Sequence, residues 1–214
     1  EEALTLIATK IQEAKPTGKL AALGGNPLTV EENYLFQKLM RDIAGVNHID
    51  HRVGTPLFSI DEEGVSPGME ISIGECENLS FVVLFGIDLT EEFPVIWLKI
   101  KEAINRGAKV IFMGHFSPEI SQHLSETILH TPGNELEMMR QHLPHIASLA
   151  KEEKKVAFFV GGQYLQTQNR RLILTELVNL TKTIPQATLN ILEGRGNSMG
   201  ARFAGMRPDL GPLG

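Results

Sequence analysis

Five short apolar runs in this chain stop at or just before glycine, and that pattern restricts the fold more than any other feature. The runs are Leu20–Leu23 before Gly24 and Gly25, Phe81–Phe85 before Gly86, Val110–Met113 before Gly114, Val156–Val160 before Gly161 and Gly162, and Leu189–Leu192 shortly before Gly194. Continuous rather than alternating hydrophobicity marks strands covered on both faces, as in a parallel sheet. Glycine at the carboxyl end lets the backbone turn sharply or approach another group closely. Helical spacing fills the intervals. Ala3, Leu4, Ile7, Ala8 and Ile11 share one face, and Leu35, Phe36, Leu39, Met40 and Ile43 share another. Thr29 and Glu32 form a capping box, and Gly45 marks the end of that helix. Thr90, Glu91 and Glu92 open a helix predicted to run through Ile96, Ile100 and Ile104 to Gly107. Further helices are predicted over 135–152 and 164–182. Such alternation implies α/β architecture with right-handed crossovers. Residues 54–78, with Pro56, Gly64, Pro67, Gly68 and Gly74, break the rhythm and read as an irregular linker.

Composition narrows the function. At 214 residues the chain can bury roughly 70% of its unfolded surface and needs no metal or disulfide to fold. A net charge of −6 with scattered basic residues excludes a nucleic-acid surface, which needs clustered Lys and Arg. One cysteine, Cys76, excludes a disulfide framework and an iron–sulphur cluster held by this chain's own thiolates, which takes about four. Its neighbours Glu75 and Glu77 raise the thiol pKa, which argues against a nucleophile. No apolar run approaches the ~20 residues of a membrane span, so direct membrane insertion is not expected. The chain opens on Glu1 inside a helical pattern and reads as a fragment.

The glycine-ended strands are the main candidate site. Ligands in open α/β sheets sit outside the carboxyl ends of strands, where helix N-termini offer N–H groups to anions. The same glycines also serve plain tight turns, and both readings stay open here. Glu193–Gly205, EGRGNSMGARFAG, looks like a phosphate loop in which Arg195 and Arg202 neutralise charge, yet it matches neither G-x-G-x-x-G nor a P-loop. His48 with His51, and His142 with His145, invite a metal reading, but nothing completes a tetrahedral set, so surface or network histidines and no metal are expected. No G-x-S-x-G elbow is present, and no catalytic residue is assigned.

Gly24–Arg52, GGNPLTVEENYLFQKLMRDIAGVNHIDHR, resembles the molybdopterin oxidoreductase superfamily, where a helix reading roughly "TNEENYLLQKLAR" runs into "GTNNIDHR". Glu1–Ile11 looks like the family's "W-x-E-A-L-x-x-I-A-x-K-L" helix, and 81–116 resembles its "GSNPTEEHP…AKRRGAKLIVVDPR" unit. Leu129–Glu135 resembles "LRPGTD", Ala157–Gln168 resembles "GxGxTQH", and 193–212 is similar in character to "RGQNNVQGAxDMGxLPxxLPG". Together with Gly24–Arg52, these five further motifs in the right order carry the likeness. It implies two doubly wound, mostly parallel-sheet subdomains of the formate dehydrogenase/DMSO reductase type (domains II–III). One is expected from 1–56 plus 154–214, and the other from 57–153, with 57–78 as the linker.

Departures from those motifs fall on the positions that the family uses to cradle a pterin guanine dinucleotide. The Asn after the third strand's Gly86 becomes Asp88, whose carboxylate opposes phosphate. Asp-Pro-Arg becomes Gly114-His115-Phe116, and the acid of "PGTD" becomes Asn134. "RGQNN" begins as Glu193-Gly194-Arg195-Gly196-Asn197. Gly86, Asp88, Gly114, His115, Asn134, Gly194, Arg195, Gly196 and Asn197 are therefore read as vestigial positions, with no cofactor expected in this chain. The branch most similar in this respect is the C-terminal, molybdoenzyme-like part of the large iron–sulphur subunit of bacterial NADH:quinone oxidoreductase, complex I. That resemblance implies a non-catalytic structural role on the cytoplasmic face of the inner membrane, beside other peripheral-arm subunits. Iron–sulphur clusters would lie in a preceding region. The alternatives are part of a molybdopterin guanine dinucleotide enzyme such as formate dehydrogenase, which would bind molybdopterin, and a standalone nucleotide module using Asp88, Asn134 and Arg195.

Overall fold

The central apolar runs become the middle of a five-stranded parallel sheet in the computed structural model, which describes residues 1–52, 65, 68–192 and 196–209. The chain divides into two compact units, Glu1–Thr55 with Arg195–Gly214, and Pro56–Gly194.

In the larger unit the strands are β3 (Phe81–Phe85), β4 (Lys109–Gly114), β5 (Glu126–Leu129), β6 (Val156–Val160) and β7 (Ala187–Ile191). Their order is β5-β4-β3-β6-β7, all parallel, with Phe81 opposite both Lys109 and Val156. The order reverses between β3 and β6, which is the topological switch point of a doubly wound sheet. Both faces of β3 are covered, as its unbroken apolar run requires. Phe81, Val83 and Phe85 pack with Phe158, Val160, Met139, Ile146 and Leu177, while Val82 and Leu84 pack with Phe112, Phe159, Ile96 and Ile100.

Two helices depart from the simple periodic reading, one of them at a proline. The helix expected from Thr90 to Gly107 is split into α3 (Leu89–Glu92) and α4 (Pro94–Asn105). Phe93 between them has φ −142° and ψ 61°, because a residue preceding proline is pushed out of the helical region. Pro94 then serves as the first residue of α4, where its missing N–H costs nothing. The helix expected over 164–182 is likewise two, α6 (Gly162–Leu165) and α7 (Arg170–Thr183), whereas α5 (Glu135–Lys151) is continuous. The expected linker lies mostly outside the described residues. Its end forms a 3₁₀ turn, Ile73–Asn78, under a Ser72/Glu75 capping box.

The smaller unit holds α1 (Glu2–Ala14), α2 (Val30–Lys38) continuing as a π-turn over Leu39–Ile43, α8 (Ser198–Phe203), and a two-stranded parallel sheet of β1 (Ala22–Leu23) and β2 (Ile49–Asp50). The Thr29/Glu32 capping box is formed from both sides, and Gly45 takes φ +71° just past the helix. Most of the apolar face expected of α1 is exposed: Leu4 and Ile7 are 71% and 55% accessible, as is Leu6 beside them at 60%, while Ile11 alone of that face is partly buried against the core. The core of this unit gathers instead around Ala22, Met40, Val46, Ile49, Ala201 and Met206.

The division differs from the expected one. The family likeness groups residues 154–214 with 1–56, yet within that stretch β6 pairs directly with β3 and β7 with β6, so these strands belong to the larger unit. The run Val156–Val160 is as apolar as β3, and its place beside β3 covers both of its faces.

Candidate functional site

The polar residues at the carboxyl edge of the five-stranded sheet are the candidate site. After β3, Gly86 adopts φ +60°, and a Cβ there would collide with the Tyr164 ring. Its carbonyl accepts from the Gln163 N–H at 3.2 Å. Gly161 on β6's side is equally close to Ile87. These glycines at the switch point are used for close approach of the chain to itself. Asp88 caps α3: its Oδ1 accepts from Thr90 N at 3.0 Å and Thr90 Oγ1 at 2.6 Å. Its carboxylate thus has a local structural role.

At the end of β4, Gly114 lies against the Phe112 ring, and the His115 N–H donates to Gln163 Oε1 at 3.1 Å. His115 Nε2 meets Glu135 Oε1 at 2.8 Å, and the same oxygen accepts from Gly133 N at 2.9 Å. His130, just after β5, bonds Tyr164 Oη through Nε2 at 2.7 Å and lies edge-on to His115, ring centroids 4.8 Å apart. Burial raises the Glu135 carboxyl, but the N–H groups of Gly133 and Glu135 and the His115 imidazole outweigh it and hold the group below the usual range. Burial pushes His130 down, helped by His115, while the Thr131 carbonyl and Glu135 oppose. Asn134 is exposed, and its amide donates to Thr131 Oγ1 at 3.0 Å.

Of the residues singled out from sequence, Gly86, Asp88, Gly114, His115 and Asn134 stand at this edge. Gly196 and Asn197 belong to the smaller unit, where the Asn197 amide donates to Leu28 O at 2.8 Å. Gly194 and Arg195, with Glu193, lie outside the described residues. Arg202 is buried on α8. His51 is also buried, its Nδ1 2.6 Å from Met206 O, and His145 pairs with Glu126 at 3.1 Å. Sequence reading missed Glu135, His130 and Tyr164. The available signal was a polar His directly after β5, but that four-residue strand carries Glu126 and Thr127 and no terminal glycine.

A family model described as molybdopterin oxidoreductase matches residues 1–211. The chain belongs to that family. Its α/β organisation with parallel sheets agrees with the molybdopterin oxidoreductase fold. Among similar proteins is the F420-dependent formate dehydrogenase 1 subunit alpha of Methanococcus maripaludis, 27% identical over 127 residues, 57% of this chain and 19% of the relative. The probable oxidoreductase YjgC of Bacillus subtilis is 35% identical over 122 residues, 52% of this chain and 12% of the relative. A putative formate dehydrogenase of Staphylococcus aureus is 29% identical over 147 residues, 64% of this chain and 15% of the relative. This molybdopterin oxidoreductase chain therefore spans under a fifth of the length of these relatives. Among its described residues, no helix is long and apolar enough to cross a membrane.

Proposed function

We propose that this chain is part of a molybdopterin-dependent oxidoreductase of the formate dehydrogenase kind, with the α6–α7 end of its larger sheet receiving the nucleotide end of the cofactor. The observation that carries this reading is the likeness to relatives named formate dehydrogenase, reaching 57% and 64% of the chain. The sheet edge fits an anion unevenly. Asp88 and Glu135 place the chain's own carboxylates at the starts of α3 and α5, where a phosphate would meet repulsion. The start of α7 is different: it has no side-chain cap and opens with Arg170 and Arg171. Gly162, the first residue of α6, has only the Gln166 amide within van der Waals range of an added Cβ, at 3.6 Å. A helix N-terminus flanked by guanidinium groups suits phosphate.

When bound, the cofactor supplies the metal centre through which electrons leave a small substrate. The residues Gly162, Arg170 and Arg171 would bind and orient its nucleotide end. The assembled protein should yield stoichiometric pterin and molybdenum or tungsten on release and analysis. Replacing both arginines by glutamate should weaken cofactor retention about tenfold or more, since a charge-assisted hydrogen bond contributes roughly 1.5–3 kcal/mol. Protein free of pterin would sink this reading.

A second reading is favoured by the carboxylates Asp88 and Glu135 themselves, which close two of the three helix starts to anions. It is the scaffold role in the large iron–sulphur subunit of NADH:quinone oxidoreductase, without a cofactor here. That role predicts no pterin and co-purification with cluster-bearing peripheral-arm subunits.

A further inference from the structure

We propose that His115, His130 and Glu135 form a binding site for a divalent transition-metal ion of the zinc class, with a fourth position open to water. Independent of the cofactor reading, the proposal rests on four features of the β4–β5–α5 corner.

First, three segments converge there. The ligand atoms of the three side chains lie within 4.8 Å of one another, and no other such group of His, Cys, Asp and Glu exists among the described residues. Zinc holds nitrogen and oxygen ligands at about 2.0–2.2 Å, which sets tetrahedral ligand atoms roughly 3.3 Å apart. His115 Nε2 and Glu135 Oε1, at 2.8 Å, already approach that spacing. The two distances to His130, at most 4.8 Å, close with a side-chain movement of roughly 1.5 Å or less.

Second, Glu135 is only 2% exposed, and its Oε2 has no hydrogen-bond partner among the described residues. A buried carboxylate oxygen without a partner is costly, and a cation offsets that cost directly.

Third, the outer hydrogen bonds suit metal-ligating histidine. His130 Nδ1 lies 3.1 Å from the Thr131 carbonyl, so Nδ1 carries the proton and the Nε2 lone pair points to Tyr164 Oη. A histidine ligand usually donates its other N–H to such a carbonyl, fixing the tautomer. A cation would take the place of the hydrogen between His115 and Glu135, His115 then carrying its proton on Nδ1. It would also replace the Tyr164 hydroxyl at His130 Nε2, leaving that O–H intact and able to donate to a metal-bound water.

Fourth, access and ligand type agree. The His115 side chain, 19% exposed, supplies the route from solvent. Two imidazoles and one carboxylate with an open position match zinc better than calcium or magnesium, which prefer all-oxygen shells.

The test is titration of the metal-free purified protein with ZnCl2 by calorimetry, and with CoCl2 followed by visible absorption. Expected are one ion per chain at micromolar affinity or tighter, and cobalt bands of four- or five-coordinate geometry. His115→Ala and Glu135→Gln should each weaken binding by at least about tenfold, whereas His145→Ala, at an exposed His–Glu pair, should not. In the unmodified protein, Zn2+ should also shield His115 and His130 from diethyl pyrocarbonate, which keeps the proposal testable if a variant misfolds. No binding, equal binding by both variants, or protection confined to other histidines would each overturn it.

Discussion

Burial, more than its charged neighbours, sets the chemistry of Cys76. The thiol is pushed up to about 11 by desolvation first; its own backbone N–H lowers it and Glu75 adds a smaller rise. Glu77, the other acidic neighbour in the sequence, has its carboxylate paired with Lys99 at 2.7 Å. Native protein at pH 8 should therefore be inert to a thiol-specific disulfide reagent and react fully in denaturant. The sign of the linkage follows. The folded pKa is raised above the unfolded value, so the contribution is complete below about pH 8.5 and lost as pH rises toward 11. Stability measured by denaturation across that range should fall less in Cys76→Ala than in the parent. An equal fall in both would show that Cys76 is not the linked group. The polar residues of the Gly24–Arg52 motif are likewise committed to structure. The Asn33 amide donates to the carbonyls of Gly25, Leu28 and Thr29, Arg41 donates to those of Gly205 and Arg207, and Arg52 clasps Asp50 through two bonds of 2.9 and 2.8 Å.

Among the elements, α3 isolates what a misplaced charge does. Asp88 opposes phosphate as a charge but satisfies the Thr90 N–H as a cap. The two roles separate by substitution. Asp88→Ala should cost about 1 kcal/mol of stability through the lost cap, while Asp88→Asn should be close to neutral because Asn caps as well. Denaturant midpoints check this, and equal losses in both variants would mean that charge, not capping, matters. Legibility in the sequence follows the same logic of local against distant causes. The strands β3, β4, β6 and β7 were readable because apolar residues covered on both faces leave continuous runs. The short strands β2 and β5 were not, since two to four residues of mixed polarity at an edge leave no period. Pro94 carried a readable stop signal that helical periodicity on either side obscured. The His115–Glu135 and His130–Tyr164 pairs were invisible because 20 and 34 residues separate the partners and no local pattern links them.

At the level of the whole molecule, stability is distributed unequally between the two units, and the consequence is measurable. The larger unit has apolar clusters on both faces of its sheet, with Phe81, Phe85, Phe158 and Phe159 fully buried. The smaller unit has a two-stranded sheet, and its α1 contains no buried residue. A two-stranded pair has little stability without packing, and an amphipathic helix owes most of its stability to tertiary burial. Local opening should therefore be cheapest in α1 and most expensive in β3 and β6, whose amides are paired on both sides. Hydrogen exchange followed by mass spectrometry should show α1 exchanging near the free-peptide rate, while β3 and β6 exchange only by global opening of the larger unit. Phe158→Ala, which removes an aromatic ring from the face shared with α5 and α7, should cost about 3–5 kcal/mol. That loss should accelerate exchange throughout the five-stranded sheet and leave the rate of α1 unchanged. Protection of α1 equal to that of β3 would mean that its exposed Leu4, Leu6 and Ile7 are covered in solution, as in self-association, and the gradient derived from burial would fail.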